Sequence, residues 1–233
     1  RRGFTAFKMK IGRTSNNHKM RLQFMNNGDF YLTPEEDKAR IELVRRTIGP
    51  DKTLMVDMNC TWDLDDVLNA KEFFVQNDIF MVEEPIRSDD TAGYIRLTKE
   101  LGGIKVAGIE SEQGVSRFAE LIKADAMDVV QASLGWAGGF TGCRNIASTA
   151  HAFNKLYTPH SFFSAVMTAA NIQFAASQVN IPFIEAEENE NPLRTELLKE
   201  PIETDEHMNY YITDKPGLGI ELDLDVIEKY IIK

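Results

Sequence analysis

Cysteine and histidine are scarce in this chain, with two and four among 233 residues. Two thiols, Cys60 and Cys143, cannot build a disulfide framework, which points to a reducing, cytoplasmic setting. Long apolar runs are absent too: nothing approaches the ~20 residues that a membrane-spanning helix needs. Nor does the chain open on a signal peptide; it starts Arg1-Arg2-Gly3 without an initiator methionine, as a fragment would. Positive charge is in the minority, 26 Lys+Arg against 36 Asp+Glu for a net −10. That balance disfavours nucleic acid or an anionic membrane as the main partner. A small anionic substrate remains compatible wherever lysines and a metal dominate locally.

What is there is an alternation. Short, near-continuously apolar segments predict strands over 4–12, 54–59, 79–83, 105–110, 127–131, 155–160 and 181–185. Amphipathic segments between them predict helices from Thr33-Pro34-Glu35-Glu36, from Asp63, over 91–101, 115–123 and 141–153, and over the Ala-rich 165–177. Thr33 is a cap with Pro at the first helical position and Glu three residues on. In that first helix Ala39, Ile41, Leu43, Val44 and Ile48 are expected to be buried, and Gly49-Pro50 ends it. Apolar strands separated by helices mean a parallel sheet covered on its faces, an α/β barrel of one core at this length. The barrel is expected over 1–190, with the polar, turn-rich 191–233 packing outside it. Residues 13–32 show no clean period and read as a long loop. There Arg13, His18, Lys19 and Arg21 could hold an anion or be merely solvated.

In such a barrel chemistry sits where strands end. Those positions are Lys8, Lys10, Asp57, Asn59, Glu83, Glu84, Glu110, Ser133, His160 and Glu185. Asp57, Glu83 and Glu110 close successive strands 26 and 27 residues apart, about one strand–helix repeat. They offer oxygen donors only, with no thiolate and no clustered histidines, a set that suits Mg²⁺ or Mn²⁺ better than zinc. Singly, each could be a solvated or lysine-paired acid. Period two puts Lys8 and Lys10 on one strand face, either as an exposed edge pair or as two cations that lower each other's pKa. His160 could be a packed histidine or an acid/base; His151, inside a helix, reads as structural.

Lys8-Met9-Lys10, Asp57-Met58-Asn59, Glu83-Glu84-Pro85, Gly108-Ile109-Glu110 and Thr158-Pro159-His160-Ser161, in that order, resemble the enolase superfamily. The likeness is to its mandelate racemase-like branch, over about residues 3–190, and Pro216-Gly217-Leu218-Gly219-Ile220-Glu221 extends it. The resemblance implies a modified TIM-type (β/α) barrel that lacks the N-terminal cap domain and the first barrel strand, with 191–233 lying towards where that cap would be. It implies Mg²⁺ held by Asp57, Glu83 and Glu110, and Lys10 as base with Lys8 beside it. It further implies His160 on the opposite wall and Glu185, or else Glu187 or Glu188, against a substrate carboxylate. Asn59, Ser133 and Lys8 are expected to touch substrate. The open sheet edges of an incomplete barrel favour pairing between copies, so a homo-oligomer is expected.

One departure bears on the reaction. Relatives pair the histidine with an Asp in a Gln-Pro-Asp run, and here the run is Gln131-Ala132-Ser133. A hydroxyl cannot stabilise an imidazolium as a carboxylate does. That weighs against racemisation, which needs two comparable bases, and towards dehydration of an acid sugar, aldonate or aldarate, to a 2-keto-3-deoxy acid through a metal-stabilised enolate. Racemisation or epimerisation of a 2-hydroxy acid is the alternative, and a barrel that binds metal and carboxylates without turnover is the third. The muconate cycloisomerase reaction is set aside, because its characteristic lysine is missing at the Gln131–Ser133 position.

Overall fold

A computed structural model describes residues 2–12 and 34–232. The Thr33 cap and the 13–32 loop, with Arg13, His18, Lys19 and Arg21, lie outside them. The elements alternate as expected: β1 (Ala6–Lys10), α1 (Pro34–Ile48), β2 (Thr53–Asp57), α2 (Leu64–Asn69), α3 (Lys71–Gln76), β3 (Ile79–Glu83), α4 (Thr91–Glu100) and β4 (Lys105–Gly108). There follow α5 (Val115–Lys123), β5 (Val129–Val130), α6 (Gly139–Ala152), β6 (Leu156–Tyr157), α7 (Ala165–Ala176), α8 (Pro192–Thr195) and α9 (Leu224–Tyr230). The strands form one parallel sheet in the order β1-β2-β3-β4-β5-β6, the α/β arrangement of a TIM-barrel-like domain. Among the described residues no helix is long and apolar enough to cross a membrane.

The chain divides into two compact units. One comprises Phe4–Ile109 and Leu121–Val129; the other comprises Arg1–Gly3, Glu110–Glu120 and Val130–Lys233. In the first unit Leu54, Val56, Val82 and Val106 are fully buried, as strands covered on both faces must be. Register then sets the site. Lys10 is level with Asp57, Asp57 with Glu83, and Glu83 with Ala107, so the carboxyl ends of β1 to β4 form one row.

Helix α1 departs from the expected stripe. Ile41 is buried, but Leu43 is 52% exposed, Ala39 is exposed, and Val44 and Ile48 are only half-buried. The inward face is instead shared with Asp37, fully buried four residues before Ile41. Its carboxylate accepts from Gly12 N–H at 2.7 Å and from Arg40 at 2.8 Å, which makes its burial tolerable. An acid among apolar neighbours is invisible to a hydrophobic-periodicity reading.

In the second unit the expected strand over 181–185 forms no ladder among the described residues; Tyr157 N–H meets Asn180 O at 2.9 Å just before it. Pro182 has no N–H to continue it. β5 and β6 are likewise shorter than the segments expected to be strands. Between them, Trp136 and Ala137 N–H groups both turn back onto Ser133 O, so the chain leaves the sheet at Ser133.

Candidate active site

In the first unit β1, β2 and β3 bring four of the expected residues together. Asp57 and Glu83 are both wholly shielded from solvent, and their charge is met from β1. Lys10 Nζ pairs with Asp57 Oδ2. Lys8 Nζ, pointing the same way two residues earlier, reaches past β2 to both oxygens of Glu83 at 2.5 Å and stands 3.9 Å from Asp57. The lysines therefore share one face and meet buried acids, although Lys10 is 48% exposed and β1 lies at the edge of the described sheet. Burial by itself would raise the Asp57 pKa, but Lys8 and Lys10 outweigh it and hold this carboxyl below the usual value.

The strand ends leave the sheet through strained backbone. After β2, Asn59 and Cys60 have φ of 44° and 58°; after β3, Glu84 has 40°; after β4, Ile109 has 61°. Asparagine tolerates this left-handed region, whereas for a β-branched isoleucine it is a true outlier. The turns are held by specific bonds. Asn59 N–H donates to Asp57 Oδ1 at 2.8 Å, so Asn59 steadies that acid through its backbone. Cys60 N–H donates to Glu84 O at 2.6 Å and Glu84 N–H to Ala107 O at 3.0 Å. Gly108 admits this close approach: a Cβ there would lie 3.0 Å from Glu84 N. Conformations of this kind are costly, and four of them fall directly after β2, β3 and β4.

The second unit gathers Glu110, His160, Glu185 and Ser133. His160 Nε2 lies 3.4 Å from Glu110 Oε2, so the imidazole has a carboxylate neighbour that the sequence did not reveal. Ser133, expected beside it, instead turns its hydroxyl to Gly135 N–H at 3.1 Å and serves the turn after β5. Glu185 accepts from Ser161 N–H at 2.6 Å, directly after His160. Glu187 pairs with Arg194 and Glu188 with Arg2. His151 is exposed on α6.

Trp136 and Phe163 are the residues that sequence reasoning missed. The Trp136 ring lies 5.6 Å from that of His160, tilted by 34°, and its indole N–H donates to Glu110 O at 2.6 Å. Phe163 packs edge-on against both, at 5.2 and 6.0 Å. A tryptophan in the turn between Ser133 and Gly138-Gly139 was the available signal.

Among the described residues no three His, Cys, Asp or Glu side chains gather into a set able to hold a metal ion. The acids come as a pair in one unit, Asp57 and Glu83, and singly in the other, Glu110. The pair offers a hard divalent cation two oxygen donors on adjacent strands, buried together, for which it would compete with Lys8 and Lys10.

This fold and these strand-end residues define a class. The chain belongs to the enolase C-terminal domain-like family, whose model matches residues 1–226. It is 29% identical over 231 residues to the arabinonate dehydratase of Saccharolobus solfataricus, a match covering 99% of this chain and 56% of that protein. Its fold superposes with a TM-score of 0.86 on the 3,6-anhydro-D-galactonate cycloisomerase from Zobellia galactanivorans, at 29% identity, covering 100% of this chain and 60% of that one. A racemase from Streptomyces coelicolor A3(2), solved with bound magnesium, follows at 26% identity and TM-score 0.80, covering 97% of this chain and 55% of that one. The chain thus spans little more than half the length of the relatives it matches. Those relatives catalyse dehydration, cycloisomerisation and racemisation.

Proposed function

We propose that the protein removes the proton α to a carboxylate and then expels the β-hydroxyl, dehydrating an acid sugar to a 2-keto-3-deoxy acid. The observation that carries this reading is the row Lys10–Asp57–Glu83 with Lys8 beside it. It sets an amine next to two buried oxygen donors, as proton abstraction beside a metal site requires. Asp57 and Glu83, two buried carboxylates on adjacent strands, would hold Mg²⁺. When bound, that ion supplies the positive charge that offsets the second negative charge arising on the substrate carboxylate. The magnesium in the racemase neighbour supports the choice of ion.

In this reading Lys10 takes the α-proton, and it does so only as the neutral amine, so the grip of Asp57 on it must relax in the working site. Lys8 stays against Glu83 as fixed positive charge. His160 gives a proton to the departing β-hydroxyl, the C–O bond breaks, and water and an enol leave; the enol tautomerises to the ketone. Glu185, bonded to Ser161 N–H, steadies the segment that carries the imidazole.

A second reading, racemisation or epimerisation of a 2-hydroxy acid, is favoured by one contact. Glu110 stands 3.4 Å from His160 and supplies the carboxylate partner that Ser133 does not. Incubation in D₂O with Mg²⁺ and a panel of aldonic and aldaric acids, followed by NMR, separates the two. A 2-keto-3-deoxy product supports dehydration. Deuterium at the α-carbon without loss of water supports racemisation, and neither outcome across the panel rejects both.

A further inference from the structure

We infer that Trp136 is a positioning residue that fixes the ring plane of His160. Four features lead there, all within one unit. The indole is anchored at one edge by its N–H bond to Glu110 O, at 2.6 Å. It lies against the imidazole with centroids 5.6 Å apart and a 34° tilt, within the range of favourable aromatic pairs. Phe163 closes the far side, edge-on to both rings. Finally, the turn makes room for this packing. A Cβ on Gly135 would lie 3.1 Å from Phe163 Cζ and 3.4 Å from Met167 Cε, so any larger residue would press on the ring that backs the stack.

The Ser133 hydroxyl accepts from Gly135 N–H, and a hydroxyl supports an imidazolium less well than a carboxylate does. Glu110 Oε2 stands 3.4 Å from Nε2, at the edge of the imidazole, and the indole lies against its face. Because the same indole is tied to the Glu110 backbone, imidazole and carboxylate are held in one frame. The ring stays 36% exposed although it is anchored at its edge and backed by Phe163.

The kinetic part of this inference rests on the function proposed above; the spectroscopic part does not. Trp136→Leu removes the aromatic face and the N–H, while Trp136→Phe keeps the face alone. Trp136→Leu is expected to lower kcat for dehydration about tenfold with KM within about twofold, and Trp136→Phe to recover to within about threefold of the parent. In the NMR spectrum, the His160 ring protons (identified by their loss in His160→Gln) should lie upfield in the parent and in Trp136→Phe, and move downfield in Trp136→Leu. Unchanged signals from His151 and His207 serve as the folding control.

A kcat unchanged in Trp136→Leu overturns the inference. So does a rise in KM alone, which would mean that the indole touches substrate. Ring protons that do not move refute the stack itself. If the parent shows no α-proton exchange, the proposed function fails and the NMR comparison alone decides the position of Trp136. Should Trp136→Leu not fold, loss of the upfield displacement in Trp136→Phe would overturn the inference by itself.

Discussion

Lys10 stands level with Asp57 on the neighbouring parallel strand, and its ammonium pairs with that fully buried carboxylate. A cation bound by Asp57 has to compete with this lysine for the same oxygens. Lys10→Met is therefore expected to abolish α-proton exchange while leaving Mg²⁺ affinity equal to or tighter than that of the parent, by calorimetric titration. A weaker affinity would mean that the lysine supports the metal site instead of competing for it.

Asp57 makes the metal-free protein sensitive to acid in a defined window. Despite its burial, Lys8 and Lys10 hold its folded pKa below the unfolded 3.8. A carboxyl depressed on folding contributes stability that is present above the unfolded value and lost as pH falls through the folded one. In EDTA, urea denaturation should show the stability gap between parent and Asp57→Asn constant above about pH 5 and shrinking below pH 4. A gap that widens in acid would refute the depression.

Gly108 occupies φ 139°, with Glu84 N only 3.0 Å from where a Cβ would sit. Gly108→Ala should cost about 1–3 kcal/mol, from the strained backbone and the displaced Glu84 turn. The urea midpoint measures it.

Tyr157 is buried at the end of β6, and its hydroxyl donates to Ala132 O at 2.6 Å. Burial holds this phenol above its ordinary pKa, so it stays a neutral donor. Tyr157→Phe leaves the carbonyl without that bond and should cost about 1–3 kcal/mol in the same assay.

The two thiols should react unequally. Cys143 is fully buried, and burial raises its pKa, whereas Cys60 is half-exposed at the rim. A chromogenic disulfide at pH 8 should titrate one thiol in the native protein and the second only after denaturation. Two fast thiols would show that α6 opens.

Much of the fold was legible because its signals are local. Asp57, Glu83 and Glu110 announced themselves as acids closing apolar runs, and helix α5 fell on the segment its periodicity marks. Segment 181–185 looked like a strand by the same criterion, yet apolar composition does not reveal whether a neighbour's hydrogen bonds are in reach. Asp37 escaped notice for a related reason: its burial depends on Gly12 arriving across 25 residues of chain.

The sequence by itself determined the alternation of strands and helices as far as α7, the acids at the strand ends and the two lysines on one face, since side-chain period and turn chemistry act over a few neighbouring residues. Tertiary structure decided which lysine meets which acid, that Ser133 serves its own turn, and that Glu110 and Trp136 frame His160. Those pairings follow from ladder register and loop closure between distant segments, where a shift of one residue moves a side chain to the opposite face.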